Sequence, residues 1–281
     1  MNIKIISDST CDLSQQLLAD YDITLAPLTV VKGDEQFKDG VTITPNEIFA
    51  HVAAGGDLCS TAANSIGEYA DLFEYYSPKY DGVLLITIGS GFSSCYQNAC
   101  LAAEEYPNVR VIDSRTVSIG AGVLAEYAYK CAEGGMGLEE LTQELLKMRE
   151  KIGLVAMVDT LKYLKMGGRI SGTAAIAGEV LSIKPVITVR DGVIAILGKA
   201  RGSKKANNFL IEQIRQNGVN YDMPILLGYT GLSDETLQAY IHDSCSLWEG
   251  HTDQLECVQL CSVVGTHAGP GAVAVAYFYD N

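Results

Sequence analysis

The sequence predicts an α/β fold in two domains. Residues 1–152 form a mostly parallel sheet flanked by helices, and residues 153–281 form an α+β unit with a mixed sheet. Three observations predict it. Short apolar runs alternate with helical patterns through the first half, as strands joined by crossover helices require. In the second half Asp191-Gly192 stands between two extended runs, a type I′ hairpin signal that makes part of that sheet antiparallel. The length of 281 residues suffices for one large domain or two modest ones with cores of their own.

The elements follow in order. Residues 3–6 are a strand, and Asp12-Leu-Ser-Gln15 reads as a capping box for a helix that continues to Tyr21. Residues 82–88 are a buried strand with a helix after it over about 96–105; residues 109–112 are a strand with a helix over about 122–132. Ala-Glu-Gly-Gly-Met-Gly at 132–137 breaks the chain before a helix over 138–151. Beyond it come a strand at 154–158, a short helix at 159–165, a turn at 167–171 and a helix at 173–181. The hairpin strands are 186–190 and 193–197, followed by an amphipathic helix at 204–216, a strand at 224–229 and a helix at 234–244. The chain ends in two extended runs around 265–271. No repeat or low-complexity linker intervenes, so the domains are expected to pack closely.

With 48% hydrophobic and 19% charged residues, the composition is that of a globular protein. A net charge of -14 and a pI near 4.6 argue against nucleic acid and anionic membrane surfaces as partners. No apolar run approaches the roughly 20 residues of a membrane span, and no secretory pattern precedes the first strand. A cytoplasmic location without stable membrane insertion is expected. The eight cysteines form no C-x-x-C pair and no zinc-like spacing with His, so reduced structural thiols and no metal site are expected.

Several strands of the first half end in Asp, Ser or Thr: Ser7-Asp8-Ser9-Thr10, Gly89-Ser90-Gly91-Phe92-Ser93-Ser94 and Asp113-Ser114-Arg115-Thr116. Open parallel sheets bind ligands outside the carboxyl ends of their strands, and a helix starting near Ser94 aims free N–H groups there. The loop is not a dinucleotide fingerprint, because Ser94 stands where the last glycine belongs, and no P-loop occurs. With no cationic side chain in it, the loop suits a small, singly charged group such as a carboxylate. The competing reading is that Ser93 or Ser94 simply caps the helix. His267, in Gly265-Thr-His-Ala-Gly-Pro-Gly271, reads as part of a shaped loop between two strands, able to donate to an anion. No G-x-S-x-G elbow supports a serine hydrolase. Lys199, Arg201, Lys204 and Lys205 concentrate positive charge in an otherwise acidic chain.

The blocks IISDSTCDL, STAANSIGEY, GSGFSSCYQNA, VIDSRTVSIGAG, LKYLKMGGRIS, LSIKPVITVRDGVI, KARGSKKA and GTHAGPGAVAVAYF occur in this order nearly end to end. In that order they resemble the DegV family of bacterial fatty-acid-binding proteins. The resemblance implies a DegV-like fold with one long-chain fatty acid between its domains, the carboxylate in a polar pocket and the tail in an apolar tunnel. It further implies a non-catalytic, cofactor-free subunit that presents the carboxylate to a separate fatty acid kinase, which binds ATP. By the same resemblance Thr61 and Ser93, with Ser94 beside it, and His267 bind the head group. Arg169, in Gly-Gly-Arg-Ile-Ser, and Arg201 fall at the partner or phosphoryl-transfer contact. Two departures touch the site. Thr61-Ala62-Ala63-Asn64-Ser65 replaces the frequent Thr-Ser-Gln-Pro-Ser, and Ser93-Ser94-Cys95-Tyr96 replaces Ser-Gly-Thr-Tyr. The alternatives are a stand-alone acyl hydrolase using Ser93 with His267, and a lipid store or sensor without a kinase.

Overall fold

The computed structural model describes residues 2–170 and 182–280. The helix expected over 173–181, and Ser171 at the end of the expected turn, lie outside the described residues. The first half runs β1 (Ile3–Asp8), α1 (Gln15–Asp20), β2 (Thr24–Ala26), β3 (Thr29–Lys32), β4 (Glu35–Lys38), α2 (Pro45–Ala53), β5 (Ser60–Ala62) and α3 (Ile66–Tyr76). It continues through β6 (Gly82–Thr87), α4 (Cys95–Ala103), β7 (Val109–Asp113), α5 (Ile119–Glu133) and α6 (Leu138–Met148). The second half contributes β8 (Ile152–Met157), α7 (Lys162–Met166), β9 (Ile183–Arg190), β10 (Val193–Arg201) and α8 (Ser203–Asn217). It closes with β11 (Leu226–Tyr229), α9 (Glu235–Asp243), β12 (Glu256–Gln259), α10 (Ser262–Ala268) and β13 (Val273–Phe278).

Strands β2-β1-β6-β7 pair in that order, all parallel. All six residues of β6 are buried, as a central strand covered on both faces requires. Alternate residues then divide between two cores. Ile6, Val83, Leu85 and Val109 pack with Tyr69 and Phe73 of α3 and Ala99 and Ala102 of α4. Ile5, Leu84, Ile86 and Ile112 pack on the other face with α1, α5 and α6.

A second, mixed sheet has the order β10-β9-β8-β13-β11-β12, parallel only between β11 and β12. One of its faces contributes Leu154, Leu226, Ala276 and Phe278 to the core that already holds α5. The other face packs under Leu210 and Ile214 of α8 and Leu237 and Tyr240 of α9. Helix α5 is therefore a layer shared by both sheets. Its Gly122 has the reason on either side: a Cβ there would lie 2.3 Å from the Cys11 carbonyl oxygen and 2.9 Å from Leu226 Cδ1. A third, small antiparallel sheet, β4-β3-β5, sits beside them.

The hairpin tip matches its sequence signal, because Asp191 and Gly192 both have the positive φ (52° and 75°) that a type I′ turn needs. Three expectations change. Helix α1 is capped by Ser14, whose Oγ accepts from Leu17 N–H, not by Asp12. Asp12 lies in the left-handed region and turns its carboxylate inward to other donors. The segment before Gly269 is a helix, α10, so His267 sits in a last helical turn and not in a loop between strands. The stretch 24–76, where the sequence pattern assigns no element, supplies β2 to β5, α2 and α3.

Candidate ligand-binding site

A cavity with about 950 Å³ of atom-free space, its mouth included, lies where the three sheets meet. Its floor is the second sheet. Leu154 and Ala156 alternate along β8, with Val158 just beyond, and Ala156 pairs with Ala274 on one side and Ile187 on the other. Ala272 extends this strip of small side chains. The roof comes from Leu28 and Thr61–Ala63 of the small sheet region, Ile88, Phe92 and Ser93 of the β6–α4 loop, and Val117 and Ser118 before α5. Helix α10 closes one side with Val263, Val264, His267 and Ala268, and Leu164 and Arg169 stand beside it.

Among the described residues, six that line it are polar: Thr61, Ser93, Ser118, Arg169, Thr188 and His267. Thr188 and Ser118 stand apart from the rest and are satisfied by the protein. Thr188 Oγ1 donates to the Leu154 carbonyl at 2.7 Å, and Ser118 Oγ donates to Asp12 Oδ2 at 2.6 Å. The other four form a chain of neighbours. Thr61 Oγ1 and His267 Nε2 share a hydrogen bond of 2.8 Å. Gly167 lies against the imidazole so closely that a Cβ would come within 2.1 Å of Nδ1. Arg169 donates through one terminal nitrogen to the Gly167 carbonyl at 2.6 Å and through Nε to the Phe92 carbonyl at 3.1 Å, next to Ser93.

These contacts fix the electrostatics of that end. Burial, and then the Arg169 charge, push the His267 pKa down to about 4, so the ring is neutral at neutral pH. Its Nδ1 is buried without a hydrogen-bond partner among the described residues. The two carbonyls orient the Arg169 guanidinium without neutralising it, and among the described residues no carboxylate pairs with it. A fixed cation beside an apolar cavity is a place for an anion. Thr61, Ser93, Arg169 and His267, named from four distant segments, are thus brought together.

Ser94 and Arg201 are not part of this group. Ser94 is the exposed residue before α4 and makes no side-chain cap bond. Its neighbour Ser93 serves the helix start instead, accepting from Cys95 N–H at 3.4 Å and donating to Cys95 Sγ at 3.1 Å. Arg201 is exposed at the end of β10, seven residues beyond the lining residue Ile194, roughly 20 Å away at the rise of a strand.

Ser93 apart, the strand-end hydroxyls and carboxylates are not among the residues that line the cavity, and the chain itself supplies partners for the carboxylates. Asp8 accepts from Ile88 N–H and from Thr10; Asp113 accepts from Ser90 and Arg115 N–H. Asp12 accepts from Ser118 Oγ and Cys261 N–H. Burial pushes Asp8 up to about 6 and Asp12 up to about 7. Asp39, which the sequence pattern does not single out, accepts from Ser9 Oγ and Ser262 N–H. Ser118 also went unmarked, and its strained backbone (φ 61°, ψ -146°) has no sequence signal in a serine. Among the described residues no group of His, Cys, Asp and Glu is arranged to hold a metal ion, and no helix is long and apolar enough to cross a membrane.

An α/β scaffold around an apolar cavity with one cationic, hydrogen-bonding end has the chemistry to hold an amphipathic anion. The chain belongs to the DegV family, whose model, described as that of an uncharacterised protein family, matches residues 2–280. A DegV domain-containing protein of Clostridium acetobutylicum is 32% identical over 280 residues, covering 98% of each chain. Among solved structures, a DegV family protein from Thermus thermophilus, described by its fatty acid binding, has a TM-score of 0.89 at 30% identity, covering 99% of this chain and 100% of that one. A stearic acid-binding protein from Eubacterium ventriosum has a TM-score of 0.83 at 29% identity, covering 99% and 98%. The α/β fold with its mixed second sheet is common to these relatives.

Proposed function

We propose that this chain binds one long-chain fatty acid, carboxylate at Thr61, Ser93, Arg169 and His267 and tail along the alanine floor, and presents it to a separate fatty acid kinase. The observation that carries the binding reading is the uneven polarity of the cavity. Among the described residues, Thr61, Ser93 and His267 gather around Arg169, a cation that no described carboxylate pairs, and the rest of the lining is apolar or internally satisfied. Residues 1–152 and 153–281 are then the two domains that enclose the lipid.

The division of labour follows from magnitudes. Each buried methylene contributes about 0.8 kcal/mol, so a long tail supplies on the order of 10 kcal/mol in all. A charge-assisted hydrogen bond contributes about 1.5–3 kcal/mol. The tail supplies affinity; the head group is oriented. A neutral His267 shares its hydrogen bond with Thr61, which leaves Arg169 to balance the carboxylate charge. The hydrolase alternative needs a Ser–His pair, whereas Ser93 Oγ bonds to Cys95 and His267 Nε2 bonds to Thr61. The kinase role rests on the family resemblance, with Arg169 and the exposed Arg201 as contacts for that partner.

The test is a native mass spectrum of the purified protein, then kinase-coupled acyl-phosphate formation. One fatty acid per chain is expected, with Thr61→Val and Ser93→Ala still loaded but phosphorylated more slowly. Arg201→Glu should slow the coupled reaction without changing lipid occupancy. A protein that stays empty when octadecanoic acid is added overturns the binding reading. Undiminished acyl-phosphate formation in both head-group variants removes those residues from it.

A further inference from the structure

Helix α10 is seven residues long, too short to hold its own shape in water. It is held at both ends by side chains from far away in sequence. In its last turn His267 bonds to Thr61. At its start, Ser262 N–H donates to Asp39 Oδ1 at 2.9 Å, and Cys261 N–H, one residue earlier, donates to Asp12 Oδ1 at 2.8 Å.

Asp39 and Thr61 belong to the same small sheet. Asp39 directly follows β4, and Thr61 lies in β5; these two strands flank β3. Two strand spacings span about 10 Å, and seven helical residues rise by about 10 Å as well. The helix therefore lies across the sheet with one end tied to each outer strand. Asp39 is 2% exposed, and among the described residues no cation pairs with it. A buried carboxylate without a counter-ion is costly unless its oxygens are filled by donors. The helix N–H fills one oxygen; Ser9 Oγ fills the other at 2.8 Å. Ser9 Oγ in turn accepts from the N–H of Leu28, which lines the cavity.

From this geometry we infer that Asp39 is a positioning residue, a fixed stop for the start of α10 that sets where His267 meets Thr61 at the polar end of the cavity. The inference rests on the fatty-acid reading above, in which that pair contacts the carboxylate. Asp12 is the second point of the same clamp.

The experiment compares dissociation constants for octadecanoic acid and 1-octadecanol, which share a tail and differ in head group. The wild type should favour the acid. Asp39→Ala, which deletes the stop, should lower the acid-over-alcohol preference about tenfold, the worth of one charge-assisted hydrogen bond. Affinity for the alcohol should change by no more than about twofold, the scatter of an independent substitution. Asp39→Asn keeps an acceptor at the same place and should restore the preference. The pair Asp12→Ala and Asp12→Asn gives the same contrast at the neighbouring N–H if Asp39→Ala does not fold. Equal losses for acid and alcohol, or an Asp39→Ala protein with the wild-type preference, would overturn the positioning role. A wild type that binds neither ligand, or binds both alike, sinks the fatty-acid reading instead.

Discussion

Raising the pH from 5 to 8 is expected to destabilise this protein, and Asp12→Asn is expected to reverse the trend. Asp12, held up at about 7, and Asp8, held up at about 6, are both raised chiefly by burial. A carboxyl with a raised folded pKa keeps a proton that the unfolded chain has released, so its contribution to stability is lost as the pH climbs. His267 runs the other way. Lowered to about 4, it has lost in the folded state a proton that the unfolded chain keeps up to about 6.5, so its contribution grows as the pH climbs. At about 1.4 kcal/mol per unit of difference, Asp12 removes about 3 kcal/mol between pH 5 and 8, Asp8 removes about 1 and His267 returns about 2. The net loss of about 2 kcal/mol lowers Tm by about 3 °C for a chain of this length. The window is chosen for its edges. Glu47 and Glu68, whose pKa values are lowered, reprotonate only below it, and the buried thiols, whose values are raised, ionise only above it. Asparagine at position 12 cannot ionise but still accepts from Cys261 N–H, so the balance turns to a gain of about 1 kcal/mol. Differential scanning fluorimetry across the window reads both slopes. A wild-type Tm that is flat or rising, or an Asp12→Asn slope parallel to the wild type, refutes the reasoning.

Two substitutions probe the cavity and its cover. Ala156→Leu fills the floor opposite Ala274, and at about 0.8 kcal/mol per displaced methylene it should lower the affinity for octadecanoic acid at least tenfold while sparing dodecanoic acid; an unchanged chain-length profile in the extracted lipid counts against that path for the tail. Gly91→Ala puts a Cβ about 2.2 Å from the Gly192 carbonyl oxygen and must push the hairpin tip away, an overpacking cost of about 1–3 kcal/mol. Faster hydrogen exchange along β9 and β10 with a lowered Tm is expected, and an unshifted Tm would show that the loop and the tip do not press on one another.

What could be read from the sequence and what could not divide along a physical line. Strand β6 is legible because both of its faces are covered, so its apolar run is unbroken; the hairpin is legible because only a few residue pairs tolerate two positive φ values in succession. The small sheet is not, since strands of three or four residues with mixed burial carry no period to detect. Helix α10 fails for another reason. Its Val-Val-Gly-Thr run favours helix weakly, and the bonds that hold it come from Asp39 and Asp12, 223 and 249 residues away. Thr61, Ser93, Arg169 and His267 were gathered by family resemblance, because nothing in four separate segments says that they meet.

The strand ends are the most instructive case. A carboxylate ringed by N–H groups and hydroxyls at the end of a parallel strand looks the same in sequence whether it prepares a ligand site or is itself the occupant. Here it is the occupant: Asp8 takes the Ile88 N–H, Asp12 takes Ser118 and Cys261, and Asp113 takes Ser90 and Arg115. Each of the first two ties down a segment that lines the cavity, at Ile88 and at Ser118. Ser93 apart, these donors, which an incoming anion would seek, are thus already used by the protein's own carboxylates. A foreign carboxylate must look elsewhere, and Arg169, the one charged residue among the described residues lining the cavity, is where the balance of charge remains open.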